Sequence, residues 1–266
     1  MKLVAWNLGH QCREDALSHA FLPAVRTLAP DLLSLNEYAH GQSRAQLVAD
    51  LSDVGLKHVL VSERLNDNNQ VLIASRYQLV QGEVLGPQSK NQGGESNFLH
   101  VRVPSHNFEF VGVRAPAYAG EDLRVYWSGL MQAIRQCAGR RIVFMGDFNT
   151  DPDRPRRANA KHLRALRDEG WSVPSPEGEW SYISPKSAGT RIDHAVASMH
   201  LRIERAEYIT SLGGVELASS RKANRVSDHA PLVVHLAESS SAVQRIGQAD
   251  VQKRLRPLSA AAYFKR

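Results

Sequence analysis

Ten short β-forming runs recur along the chain, separated by helical patterns through most of its length: "KLVAWNL", "DLLSLNEY", "HVLVSE", "VLIASRY", "FLHVRV", "FEFVGVRA", "RIVFMGDF", "RIDHAVAS", "RIERAEYIT" and "PLVVHLA". That alternation predicts an α/β fold, because a helical bundle lacks the strands and an all-β sandwich lacks the helices. Within "FLHVRV", "FEFVGV" and "PLVVHL" apolar and polar residues alternate, which marks antiparallel strands with one face buried and the other wet or covered differently. A fully parallel doubly wound sheet is thereby disfavoured. Leu123, Tyr126, Trp127, Leu130, Met131, Ile134 and Cys137 recur at three- and four-residue spacing and describe one buried stripe on a helix. Residues 13–28 and 42–54 are further helix candidates, with Pro23 expected to kink or interrupt the first.

A chain of 266 residues with 42% apolar content can bury a sizeable core, and one large domain over residues 1–237 is expected. From 238 to 266 a serine run opens a stretch of falling apolar content with no strand pattern, which predicts a basic tail outside that core. The tail sets six cations against two carboxylates and so carries +4 of the formal +6 charge. The body is only mildly basic, but its cations cluster in "DPDRPRRANAKHLRALR" and "SSRKANRVSDH". Residues 153–167 are read as a basic loop suited to phosphate contacts. Two cysteines, Cys12 and Cys137, provide no disulfide framework. "MKLVAWNLGH" is too short in apolar residues for a signal core, and no run approaches a membrane span. A reduced cytoplasmic setting, with no membrane and no obligate protein partner, is the expectation.

The strand ends carry the chemistry. "IVFMGDFNTDP" runs four apolar residues straight into Gly146, Asp147, Asn149 and Asp151. Asp, Asn, Gly and Pro are also what turns are made of, so this stretch alone decides nothing. Other runs behave alike: one ends at Asn7, one at Asn36 and Glu37, one holds Asp193, and Asp228 and His229 precede the last. Inside a sandwich each such group would need full hydrogen-bond satisfaction, so collecting them at one mouth of the sheets is the cheaper arrangement. Gathered carboxylates repel unless a cation sits among them. Oxygen donors without thiolates suit a hard divalent ion, Mg²⁺ with Mn²⁺ as substitute, and that ensemble describes phosphoester hydrolysis. Asn36 is read as a local hydrogen-bonding residue, and His10, His58, His100 and His162 are left without a role.

The ordered set "WN", "NE", "GDFN", "RID" and "SDH" resembles the endonuclease/exonuclease/phosphatase family, which includes abasic-site endonucleases, deoxyribonuclease I-like enzymes, sphingomyelinases and inositol-polyphosphate phosphatases. The resemblance implies a four-layer α/β sandwich, two mixed β-sheets packed face to face with helices on both outer faces. It implies a metal held by Asn7, Glu37 and Asp228, with Glu37 the principal ligand. Asp147 then activates the attacking water, Asn149 holds the phosphate, His229 contacts it, and Asp193 orients His229 and favours its cation.

Several positions depart from the family pattern. Arg114 stands where the family usually has Tyr or His; its guanidinium either supplies charge in the transition state or is an ordinary ion-pairing arginine. Gly9 replaces a carboxylate found in abasic-site enzymes, and His194 follows Asp193 where those often have Tyr, which weighs against that branch. Trp180 and Tyr182 either stack on a base or sugar or pack within the fold. Arg154, Arg156, Arg157, Arg221, Lys222 and Arg225 are the cations that favour nucleic acid, DNA first, over a small phosphate ester. The resulting expectation is a Mg²⁺-dependent nuclease. Its rivals are a phosphatase or lipid phosphodiesterase of the same fold and a catalytically silent nucleic-acid-binding module.

Overall fold

The computed structural model describes residues 1–10, 17–39, 44–64, 69–88, 96–117, 121–154, 159–186, 188–221 and 225–237. The tail from 238, the residues Arg156, Arg157 and Lys222, and Cys12 lie outside the described residues. In chain order the elements are β1 (Lys2–Asn7), α1 (Phe21–Leu28), β2 (Leu32–Tyr38), α2 (Arg44–Asp53), β3 (His58–Val61), β4 (Gln70–Ser75), β5 (Val80–Gln81), β6 (Phe98–Val103), β7 (Phe108–Arg114), α3 (Glu121–Gln136), β8 (Ile142–Asp147), α4 (Ala160–Asp168), β9 (Asp193–Ala197), β10 (Ile203–Tyr208), β11 (Ser211–Leu212), β12 (Val215–Glu216) and β13 (Leu232–Leu236).

One sheet has the order β10-β13-β1-β2-β4-β3 and the other β5-β6-β7-β8-β9. Both are mixed, since β1–β2 and β7–β8 pair parallel and their remaining neighbours antiparallel. The period of two along each strand decides what packs where. On β1, Leu3 and Ala5 face the core between the sheets, with Ile73, Phe110, Val143, Met145 and Val234. Val4 and Trp6 face outward onto Phe21, Val25, Leu47 and Leu51 of α1 and α2. The second sheet's outer face, Val111, Val113 and Phe144, is covered by Tyr126, Trp127, Leu130 and Ile134 of α3 and by Leu163 and Leu166 of α4. The four-layer sandwich expected from the resemblance is therefore the architecture observed. Helix cover explains why β6, β7 and β13 are buried along most of both faces, where alternation alone would allow a wet one. Among the described residues no helix is long and apolar enough to cross a membrane.

Two helices differ from expectation. Among the described residues of 13–28, helix begins only at Phe21, which places Pro23 in its first turn, where the missing N–H and fixed φ do no harm. The stretch 153–167, expected as a basic loop, holds most of α4 instead: Leu163 and Leu166 bury one face, and the cations occupy the rest.

The end of β8 is shaped by one glycine. Gly146 has φ +144°, and a Cβ there would lie 2.1 Å from the Val113 carbonyl of β7 and 2.7 Å from Asn36 Oδ1. Gly146→Ala is expected to cost about 2–4 kcal/mol, from backbone strain plus overpacking. Urea unfolding checks this; an unchanged midpoint would show that β7 and β8 can separate freely.

Candidate active site

Because β1, β2, β7 and β8 run the same way within their parallel pairs, their C-terminal residues collect at shared edges. Asn7 stands beside Asn36 in the β1–β2 register, while Arg114, Asp147 and Asp193 stand side by side across β7, β8 and β9. The two sheets are joined there. Asn7 Nδ2 donates to Asp147 Oδ2 at 3.0 Å, and Asn36 Nδ2 donates to the Val113 carbonyl at 3.1 Å. Asn36 is thus a tie between sheets, not the local hydrogen-bonder expected, because its side chain points into the layer between them.

Five non-glycine residues among those described have positive φ: His10, Ala29, Glu37, Asn107 and Asn149. Ala29 and Asn107 merely cap helical turns. The other three lie together at this mouth, and left-handed geometry off a glycine persists only where the surroundings hold it. Glu37 sits where the β2–β4 register shifts between Leu35 and Tyr38, a bulge that re-aims its side chain. Its Oε1 accepts from Nε and Nη2 of Arg114 at 2.9 and 2.8 Å, and its Oε2 lies 3.0 Å from His10 Nε2.

Asp147 is 1% exposed. Its Oδ1 accepts from the Asn149 backbone N–H at 2.9 Å, and its Oδ2 accepts from Asn149 Nδ2 at 3.1 Å as well as from Asn7. Asn149 Nδ2 also donates to the Ala115 carbonyl at 2.7 Å, which fixes the amide. Beside this group His229 Nδ1 meets Asp193 Oδ2 at 2.9 Å. Asp193 is held from behind by Ser181, whose hydroxyl accepts the Asp193 N–H at 3.0 Å, and by Tyr208, whose hydroxyl donates to the Asp193 carbonyl at 2.7 Å. The Tyr182 ring lies 4.8 Å from the His229 ring.

Ser227 links the last motif to the first. Its hydroxyl donates to the Asn7 carbonyl at 2.6 Å and accepts the His229 N–H at 3.1 Å. Asp228 points over Gly9, where a Cβ would come within 2.7 Å of its Oδ1. A side chain at position 9 could not share that space with Asp228 as placed.

Charge follows from these contacts. Burial raises the Asp147 carboxyl and neighbouring Asp193 adds to it, outweighing His229 and Arg114 and pushing it up to about 7. Burial alone would lower His229, but Asp193, Asp147 and Asp228 reverse that and raise it to about 9. Burial would likewise raise Glu37; Arg114, His10 and His229 overcome it and hold the carboxyl below its ordinary range. In the metal-free protein both raised groups bind more protons folded than unfolded, Asp147 between about 4 and 7 and His229 between about 6.5 and 9. Stability in chelator should therefore fall as pH rises through those windows, and Asp147→Asn should flatten the lower part; thermal midpoints across pH measure this.

Asn7, Glu37, Arg114, Asp147, Asn149, Asp193, Asp228 and His229 are thus brought to one edge. Of the other cations among the described residues, only Arg225 approaches this edge, through Asp228. Arg154 pairs with Asp151 at 3.3 Å and with the Gly189 carbonyl at 3.2 Å. Arg225 donates to the Ser219 carbonyl at 2.7 Å and stands 3.5 Å from Asp228, and Arg221 is exposed. Trp180 packs against Gly189, where a Cβ would meet its ring at 2.6 Å, and joins the edge of the inter-sheet core. Sequence reasoning missed His10, Ser227 and Tyr208. The serine of "SDH" was in view, but nothing in a sequence shows that the turn at Gly9, φ +58°, brings His10 back onto Glu37.

Residues 4–229 match the model of the Endonuclease/Exonuclease/phosphatase family. Among solved structures, an AP endonuclease from Archaeoglobus fulgidus is 17% identical, covering 88% of this chain and 98% of its own, with a TM-score of 0.66. A mannosyl-6-phosphatase from Bacteroides thetaiotaomicron is 15% identical over 89% of this chain and 99% of its own, TM-score 0.61. The human Nocturnin catalytic domain with bound sulfate is 18% identical over 90% and 94%, TM-score 0.59. No curated protein matches the sequence. With the motifs at one edge of a four-layer sandwich and the family match spanning most of the chain, this protein belongs to the endonuclease/exonuclease/phosphatase family, whose members hydrolyse phosphoester bonds.

Proposed function

We propose that the chain is a divalent-metal-dependent phosphodiesterase, a nuclease that cuts DNA by water attack at phosphorus. The observation that carries this reading is the single hydrogen-bonded network joining Asn7, Asp147 and Asn149, flanked by the Glu37–Arg114 and Asp193–His229 pairs. A buried carboxyl poised near neutrality beside an imidazole held as a cation is a fitting base-and-acid arrangement.

The donor set suits a hard ion. Glu37, Asp228 and the Asn7 amide oxygen offer oxygen alone, and Mg²⁺ commonly takes one or two carboxylates and keeps its waters. Among the described residues no group of three or more His, Cys, Asp or Glu side chains is placed to hold a metal ion, so the set depends on the Asn7 amide beside the two carboxylates. When bound, the ion would polarise a phosphoryl oxygen and offset developing charge. Mn²⁺ should substitute.

The chain's own residues do the rest. Asp147 Oδ1, with one N–H bond from Asn149, retains a lone pair with which to orient and deprotonate a water. His229 has Nδ1 taken by Asp193, so its Nε2 is the nitrogen that donates to a phosphate oxygen. Asn149 reaches the phosphate by exchanging its longer bond, the one to Asp147, while Ala115 keeps the amide in place. Arg114 supplies a permanent cation beside both Asp147 and Glu37. Residues 1–237 would form the catalytic domain, working in a reducing cytoplasm, and the basic stretch 238–266 would add salt-sensitive attraction to a polyanion.

Nucleic acid is favoured by the +6 charge and by an AP endonuclease among the structural relatives. A small phosphate ester is the second reading, supported by the mannosyl-6-phosphatase likeness and by the inward pairing of Arg154 and Arg225. Plasmid, single strand, abasic duplex, RNA and sugar phosphates tested side by side with Mg²⁺ separate the two. Nicking lost on chelation is expected; turnover of sugar phosphates alone would replace the nuclease reading.

A further inference from the structure

Among the described residues, both carboxylate oxygens of Glu37 face close protein donors. Arg114 directs Nε and Nη2 at Oε1, at 2.9 and 2.8 Å, with both side chains largely buried. His10 Nε2 lies 3.0 Å from Oε2. Asn69 Nδ2 lies 2.9 Å from His10 Nδ1, which holds the ring with its Nε2 toward Glu37. By contrast the side-chain contacts of Asp228 among the described residues are long, 3.5 Å from Arg225 and 3.4 Å from Ser227.

The Arg114 contact is built into the fold. Asn36 and Val113 are joined across the sheets at 3.1 Å, and the next residue on each strand is Glu37 and Arg114 respectively. The tie therefore sets the two charged side chains opposite each other before any ligand arrives. A guanidinium and a divalent ion on one carboxylate repel each other at a few ångströms, where the Coulomb term in a part-buried site is not negligible.

We propose that Arg114, assisted by His10, is the resident counter-ion of Glu37 and competes with the divalent ion for that carboxylate. The proposal rests on the reading of Glu37 as an ion ligand. It makes Arg114 a regulator of ion affinity: the protein keeps Glu37 neutralised without metal, and an ion must displace or share that pairing.

Mn²⁺ binding to the purified full chain, followed by the electron paramagnetic resonance of free Mn²⁺, tests this without reference to activity. Arg114→Ala should tighten Mn²⁺ binding on the order of tenfold, since one pK-unit-sized Coulomb term is removed. Arg114→Gln, which keeps most of the stem but not the charge, should tighten it similarly and serves if the alanine variant folds poorly. Arg114→Lys keeps the charge without the fork and should fall between these and the wild type. Glu37→Gln separates the two ideas. If it weakens Mn²⁺ binding while neither neutral Arg114 variant tightens it, the competition is wrong and the ligand role of Glu37 stands. If Glu37→Gln leaves Mn²⁺ binding unchanged, the ligand reading itself fails and the competition with it.

Discussion

Asp147→Asn is expected to lower turnover by about 10²–10⁴-fold, the usual contribution of a positioned general base, while hardly moving the thermal midpoint near neutral pH. The first part follows from what an amide lacks: it cannot accept a proton at neutral pH. The second follows from two opposed effects. Asp147 accepts from Asn7 Nδ2, the Asn149 backbone and Asn149 Nδ2, so an amide sets one new N–H against one of these donors and loses a bond. The same change removes a buried carboxyl already pushed up to about 7 by desolvation and by Asp193. Steady-state kinetics beside a melting curve distinguish a chemical role from a structural one. A large fall in the midpoint, matched by the loss of rate, would place Asp147 among residues that merely join the sheets.

His229→Ala should reduce kcat by about 10²–10³-fold, the scale seen when one donor to a developing oxyanion is removed. Asp193→Asn has a subtler signature that a packing role would not give. Asp193 is the strongest of the contacts that raise His229 to about 9 against burial, which on its own would lower it. With an amide there, the His229 pKa should fall, and the alkaline limb of the pH–rate profile should move to lower pH. The sign is fixed by the cation: the donor is present below the folded pKa and lost above it. An unmoved alkaline limb would show that His229 is not the group titrating.

The α/β class was readable because its cause is local: the apolar–polar alternation of "FLHVRV" and "FEFVGV" and the stripe on α3 are properties of consecutive residues, whereas the four layers were implied by the family resemblance, since a continuous apolar run such as "LVAW" does not show which residues face inward. β5, β11 and β12 escaped because strands of two residues carry no period. α4 was hidden by its cations, which outnumber the few apolar positions that anchor it. The candidate site was legible for a related reason: Asn7, Glu37 and Asp147 lie at or near the C-terminal ends of strands in parallel pairs, while Asp193 begins β9 and His229 precedes β13, both antiparallel neighbours, so the two kinds of pairing carry them to one edge. What could not be read depends on a side chain crossing between elements. His10 reaches Glu37 through a left-handed turn, Asn36 crosses to Val113, and Ser227 spans from the last motif to the Asn7 carbonyl.

An ion and a phosphate are expected to meet at this edge, and the anomalous diffraction of Mn²⁺ in crystals grown with a short oligonucleotide product tests that most directly. The expected map places one strong peak against Glu37 and Asp228, with a terminal phosphate within hydrogen-bonding distance of His229 Nε2 and Asn149. Manganese bound elsewhere, or a phosphate seated away from His229, would contradict it.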